Sequence, residues 1–566
     1  MKVAAAQFAV TNDVSANLAT CLRIIAQAGE QQPDLMVLPE FCNHNSWYDN
    51  AEHCYQVSVD LDGDFLRAIA KAAAEVKAYL VINCTVRRAN QQVTGTSLLY
   101  SPEGKLLAEA NKQVLIGHEN DFLQPAVEPS PIVDTPFGKI ALYSCMDGVI
   151  NETPRCLALR GAQLLCNSLN SFAIDEGNLH IPVRAAENKV FVVAANKVGP
   201  LIPEAMLEPV SAAVNIPVQF LSGAGDSQVV APDGTVLALA GHDEEIIYAE
   251  IDLTQALDKR RPDGSDIFRE RRPELYQSLG QDPAQQPLPA FEGPAVLKAA
   301  AISSQLSGEA ALADLLQQVQ QAQAQQIPLI CLPELPWKAS DASQDAHFSQ
   351  QLLNALQQLL QGETLVATTL LLPADAGLSH CAVLIGAKGL IHQQAQVHHS
   401  QRFAGQVHGD AFRILPTPFG KLAVLCEDDA IYPETMRLVA MQGAEVVLVP
   451  LQLQERWLTD TGLVERAAEN RVNLVAADHH SGHHLICDLQ TDFTLMTPWK
   501  ERAFDGLLSA PVIIRGQPGQ PVLQAEIHPQ AAANKVASHR THLIANRPWR
   551  LLDPMIKATT PEGASA

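Results

Sequence analysis

Thr135-Pro-Phe-Gly-Lys-Ile-Ala-Leu-Tyr-Ser-Cys-Met-Asp147 decides the fold, because much of it is written twice. Its head recurs as Thr417-Pro-Phe-Gly-Lys421 and its final aspartate as Asp429, both 282 positions further on. Working outward at the same spacing, Gly161-Ala162 recurs as Gly443-Ala444, and Arg184-Ala-Ala-Glu-Asn188 as Arg466-Ala-Ala-Glu-Asn470. Leu38-Pro-Glu40 matches Leu332-Pro-Glu334, Ala249-Glu-Ile251 matches Ala525-Glu-Ile527, and Arg272-Pro273 matches Arg547-Pro548, with spacings that drift as loops differ. Ordered identities of this kind mean one module repeated in tandem. Residues 1–280 form the first unit and 295–566 the second; Gln281–Pro294, rich in Gln, Pro and Ala, reads as a linker.

Inside the first unit, short β-rich runs alternate with helix-length amphipathic segments. Strands are predicted at Lys2–Val10, Leu35–Leu38, Leu80–Cys84, Ile140–Ser144, Leu164–Asn167 and Val190–Ala195. Helices are predicted at Ser15–Glu30, Asp64–Val76, Thr153–Gly161 and His180–Asn188. Such alternation implies a layered α/β fold rather than segregated helices and strands.

The chain has 566 residues, 47% of them apolar and 18% charged. Single cores rarely grow past about 250–300 residues, so two domains are expected. A formal net charge of −23 argues against nucleic acid or an anionic membrane as partner, since both call for a basic face. No apolar run approaches the roughly 18–20 residues of a membrane span, and Met1–Val10, interrupted by Gln7, reads as a strand rather than a signal-peptide core. Eleven cysteines at irregular spacings, without Cys-x-x-Cys or Cys/His pairs at ligand spacing, predict neither a disulfide framework nor a zinc site. Reduced thiols in the cytoplasm are the expectation, and no metal or cofactor is called for.

Cys145 follows a predicted strand directly and precedes the helix signal Asn151-Glu-Thr-Pro154. A strand-to-helix turn of this kind exposes a side chain and offers backbone N–H groups to an oxyanion. A free thiol is only a few per cent thiolate at neutral pH, so it needs a base or a cation beside it. Glu40 ends the apolar strand Asp34-Leu-Met-Val-Leu-Pro-Glu40, where open α/β sheets present functional groups. Lys112 lies in Asn111-Lys-Gln-Val-Leu-Ile-Gly-His-Glu-Asn-Asp-Phe122. Taken singly, each has a plainer reading: a packed core thiol, a charge leaving the core at a strand end, a surface lysine.

Taken together, Leu38-Pro-Glu40, Lys112 followed by Glu119, and Phe137-Gly-Lys-Ile-Ala-Leu-Tyr-Ser-Cys-Met-Asp147 resemble the nitrilase superfamily, also called the carbon–nitrogen hydrolase family. Arg184-Ala-Ala-Glu-Asn188, Asp226-Ser-Gln-Val-Val-Ala-Pro-Asp-Gly234 and Arg271-Arg-Pro-Glu-Leu-Tyr276 extend the resemblance over residues 1 to about 280. It implies two tandem α-β-β-α sandwich units, packed as an intrachain pseudo-dimer. It also implies hydrolysis of a non-peptide C–N bond in a small amide or N-carbamoyl compound through a cysteine thioester, releasing ammonia or an amine. In that scheme Glu40 is the general base, Cys145 the nucleophile, Lys112 and the Met146 N–H stabilise the oxyanion, and Glu119 positions substrate and lysine. Met146 and Asn111 depart from the residues usual there, without removing a reacting group. Trp47, Tyr48 and Asn170 are expected to line the mouth, and Gly199–Gly223 to form a lid. Asp147, where the true nitrilases have Glu, looks more like the amidase and N-carbamoyl branches. Nitrilase or thioester acyl-transfer activity is the alternative within enzymes, and a non-catalytic binding or scaffold protein the alternative outside them.

The second unit keeps Glu334, but the 282 spacing puts Glu427 at the place of Cys145, Gln394 at that of Lys112 and Gln401 at that of Glu119. Cys426 falls one position early, and a one-residue slip along a strand turns a side chain to the other face. Residues 295–566 are therefore expected to be a degenerate copy that pairs with the first unit. The partners implied are a small amide substrate and the chain's own second half, with further homo-oligomerisation open.

Overall fold

The computed structural model describes residues 1–337 and 342–558. In the first unit one six-stranded sheet runs Glu245–Glu250, Lys2–Gln7, Leu35–Val37, Tyr79–Arg87, Val93–Tyr100, Leu106–Asn111. The other runs Val236–Leu239, Gln228–Val230, Phe191–Ala195, Leu164–Ser168, Gly138–Ser144, Ile132–Thr135. Alternation along the strands explains the layering. Val3, Ala5, Leu35 and Val37 face Ile140, Leu142, Leu164 and Val193 between the sheets. Their neighbours Ala4, Ala6 and Met36 point outward to Ile24, Ile25, Phe65 and Ile69 on the helices Val14–Gly29 and Asp64–Val76. On the far side, Ala141, Tyr143 and Val192 pack under Leu157, Ala158, Ile181 and Ala185 of the helices Glu152–Leu159 and Ile181–Asn188. The unit is an α-β-β-α sandwich.

The second unit repeats this plan. Its sheets run Gly389–Ala395, Gly377–Gly386, Leu365–Ala374, Leu329–Cys331, Leu297–Ile302, Val522–Ile527, and Leu415–Thr417, Gly420–Val424, Val446–Leu451, Asn473–Asp478, Leu485–Asp488, Val512–Arg515. The register agrees in detail: Ile140 pairs with Leu164 as Leu422 pairs with Val446. Segment 281–294 lies against the second unit rather than hanging free. The Gly293 N–H donates to Glu445 at 2.6 Å, Lys421 donates to the Ala290 carbonyl, and Pro289 covers Gly443 where a Cβ would have no room.

A continuous apolar layer joins the units, with Cys156, Val183, Tyr276 and Leu279 packed among Met436, Val439, Leu463 and Ala467. Buried ion pairs cross the same junction in reciprocal sets. Arg155 meets Glu434 at 2.9 Å and Arg437 meets Glu152 at 2.8 Å. All eleven cysteines are unpaired and buried. Among the described residues no helix is long and apolar enough to cross a membrane.

Candidate active site

Separate segments of the first unit converge on one point. Glu40 leaves the strand Leu35–Val37 through Leu38-Pro39 and is wholly buried; its N–H donates to the Leu169 carbonyl at 3.0 Å. Phe41, at φ 51°, then turns the chain back and donates its N–H to the Asn83 side chain at 3.0 Å. Lys112 directly follows the strand Leu106–Asn111, held by a 2.8 Å bond from its N–H to the Gly95 carbonyl. Glu119 opens the short helix Glu119–Phe122.

Cys145 ends the strand Gly138–Ser144 with φ 47° and ψ −110°, a conformation an L residue rarely adopts unless its surroundings enforce it. The Ser168 carbonyl and the Asn167 side chain, each at 3.1 Å, fix its N–H. A short helix, Met146–Val149, begins at once, ahead of the helix expected from the sequence. Its first N–H, on Met146, has no intrahelical acceptor. Asp147 accepts the N–H groups of Gln113 and Val114 at 2.9 and 2.8 Å, tying the lysine segment to the cysteine turn.

Lys112 Nζ lies 2.9 Å from Glu40 Oε1 and 2.7 Å from Glu119 Oε1, all three groups being buried. Burial opposes the ammonium, but the charges of Glu119 and Glu40 prevail and hold it above the usual lysine range. Burial pushes Glu40 up to about 7 despite the lysine. Burial and the Glu40 charge together push the Cys145 thiol up. The resting site is thus a neutral thiol beside a carboxyl balanced near neutrality. Neither Glu40 oxygen receives a well-aligned hydrogen bond among the described residues, so lone pairs remain to take a proton.

A cavity opens on Cys145. Met146, Val149, Asn170, Phe172 and Glu176 line it from the first unit, and Phe493, Leu495, Leu508, Ala537 and Leu543 from the second. Of the expected mouth residues Asn170 lines it, whereas Trp47 and Tyr48 do not. Trp47 stands edge-on to His118, and Tyr48 is buried against Phe122 and His44. Segment 199–223 carries the helix Glu204–Val214; Val210, Val214 and Phe220 pack with Trp499 and Phe504 of the second unit, and none of the segment lines the cavity.

Sequence reasoning missed three buried ionisable groups. Glu176 and His180 bound a π turn, Glu176–His180, that feeds the helix Ile181–Asn188. Burial pushes Glu176 up to about 7. His180 meets Glu465 at 2.7 Å and Ser509 at 2.9 Å, and these acidic neighbours outweigh burial to raise it to about 9. Lys197 lies 5.9 Å from the Phe41 ring with its ammonium unpartnered among the described residues, and burial lowers it to about 8. A polar residue just ahead of a motif helix, Glu176-Gly-Asn-Leu-His180, was the one available signal.

The equivalent place in the second unit is filled by salt bridges. Arg402 reaches Glu334 at 2.6 Å and Asp428 at 2.8 Å, while Arg261 of the first unit pairs with Asp428 and, at 3.5 Å, with Glu427. Cys426 is extended at φ −64° and ψ 152°, unlike Cys145. Backbone bonding corrects the sequence alignment. The Gln396 N–H donates to His380 O and its carbonyl accepts from Gly409, as Lys112 does with Gly95 and Ala126, so Gln396 and not Gln394 stands for the lysine. By the same turn geometry Phe403, stacked on His380 at 3.8 Å, stands where Glu119 does, in place of Gln401.

A family model described as carbon–nitrogen hydrolase matches residues 2–261 and again 298–491. The nitrilase of Pyrococcus abyssi is 27% identical over 262 residues, covering 46% of this chain and 92% of that protein. The omega-amidase of Bos taurus is 27% identical over 289 residues, covering 49% and 96%. Among solved structures, an amidase from Nesterenkonia sp. aligns at 25% identity and a TM-score of 0.39, covering 46% of this chain and 93% of its own.

Proposed function

The chain belongs to the carbon–nitrogen hydrolase family, and from that premise we propose that its first unit, residues 1–280, hydrolyses a small amide through a thioester on Cys145. Glu40 accepts the Sγ proton as sulfur attacks the carbonyl carbon. Lys112 Nζ and the Met146 N–H stabilise the oxyanion that forms. The protonated Glu40 returns its proton to the departing nitrogen, and ammonia leaves. Water then attacks the thioester, gives its proton to Glu40, and the acid and the thiol are released. Glu119, 2.7 Å from Lys112, holds the lysine in place.

One observation carries this reading: a buried carboxyl near neutrality and a buried ammonium, 2.9 Å apart, whose charges are felt at a backbone-strained thiol that opens on a cavity. Placing a base at its working pH and a fixed charge beside a nucleophile is how active sites use burial. Residues 295–566, with 281–294 as the connection, act as a degenerate partner that walls the cavity, and the paired units take the role of a dimer. The eleven buried free thiols suit a reducing cytoplasmic setting. Hydroxylamine tests the intermediate: added during turnover of a primary amide, it should divert product to the hydroxamate. Acid release without hydroxamate at saturating hydroxylamine would refute the thioester.

A further inference from the structure

Among the described residues, Glu176 is the one carboxylate of the cavity without a partner. It is 5% exposed and lines the same cavity as Cys145, and its charge is felt at that thiol. Its Oε2 has no hydrogen bond, and no cation stands within ion-pair distance, among the described residues.

The nearby charges are already matched. His180 is taken by Glu465 and Ser509. Asp175 accepts from the Ser509 hydroxyl at 2.6 Å and from the N–H groups of Leu508, Ser509 and Ala510. Arg184 is held by Glu187, Glu465 and Glu469, and Lys112 by Glu40 and Glu119. Asn170 and Ser171 apart, the remaining wall, with Val149, Phe172, Phe493, Leu495 and Leu508, is apolar. A buried carboxylate without a partner is costly, and an apolar wall offers it none.

We propose that the partner comes with the substrate: an amide whose short aliphatic acyl chain carries an ammonium group, received by Glu176 while the amide carbon meets Cys145. The apolar wall packs the methylenes, and Glu176 determines specificity without entering the chemistry. This rests on the amide-hydrolase reading and adds the substrate class to it.

The test compares isosteric pairs, from glycinamide against propionamide to γ-aminobutyramide against valeramide, on the full-length protein. At one chain length at least, kcat/KM should favour the ammonium member by roughly tenfold to a hundredfold, the worth of one charge-assisted hydrogen bond. Glu176→Gln should erase the preference, read as the kcat/KM ratio within each pair so that any change common to both members cancels, with an unaltered circular dichroism spectrum reporting intact folding; Glu176→Asp, keeping the charge, should retain part of it. Equal or better turnover of the neutral amide at every length, or a preference that survives in Glu176→Gln, overturns the proposal while leaving the hydrolase reading intact. Turnover of neither, or turnover indifferent to Cys145→Ala, overturns both.

Discussion

Arg184 donates to Glu469 at 2.8 Å across the junction of the two repeats, and Arg466 reaches Glu187 at 2.7 Å in the reciprocal contact. Each arginine also holds the glutamate of its own motif, Arg184 to Glu187 at 2.6 Å and Arg466 to Glu469 at 3.0 Å. The repeated Arg-Ala-Ala-Glu-Asn text is thus the signature of a self-complementary interface, in which residue i touches j and j touches i. The same symmetry sends the end of each unit over the other's site. Arg261 enters the filled site of the second unit, and Ala537 and Leu543 close the cavity of the first.

Arg184→Met removes one member of this buried network and leaves Glu465 and Glu469 short of a partner. Breaking a buried pair from one side costs about 3–5 kcal/mol. The midpoint of urea unfolding should fall accordingly. Arg466→Met should cost a similar amount, and the double variant less than the sum.

Glu40 acts as its carboxylate, and burial has brought it to about 7. With an uncharged amide, kcat/KM should therefore rise with pH through about 7 and be lost as pH falls below it. Glu40→Gln should lower kcat/KM by roughly a hundredfold to ten-thousandfold and abolish that limb. A profile flat from pH 5 to 8 in the native protein would contradict the assignment.

Phe493 belongs to the second unit yet walls the cavity at Cys145. Phe493→Ala should shift the kcat/KM ratio toward amides with longer or branched acyl chains by about tenfold, within the range that one pocket contact discriminates. An unchanged ratio would remove the second unit from substrate selection.

The sequence made legible what depends on local pattern. Cys145 and Glu40 stand at strand ends, and short apolar, β-rich runs marked the strands that present them. The two-unit plan followed from repeated text. Tertiary consequences were out of reach. The wall formed by Phe493 and Leu543 comes from hundreds of residues away, and the place of Glu176 in the cavity depends on a π turn that its polar text ahead of the motif helix hints at without specifying. The misplacement of Gln394 has a plain cause: the path from Gln396 to the strand Gly420–Val424 is shorter than that from Lys112 to Gly138–Ser144, so a fixed spacing slips there. Trp47 and Tyr48 read as binding aromatics, but packing against Phe122 and His118 turns them elsewhere.

Ammonia release from primary amides, measured on the native protein beside Cys145→Ala and Cys426→Ala, tests the account most directly. Turnover by the native protein and Cys426→Ala, absent in Cys145→Ala, is the predicted result. Turnover that survives Cys145→Ala, or vanishes only with Cys426→Ala, would contradict it.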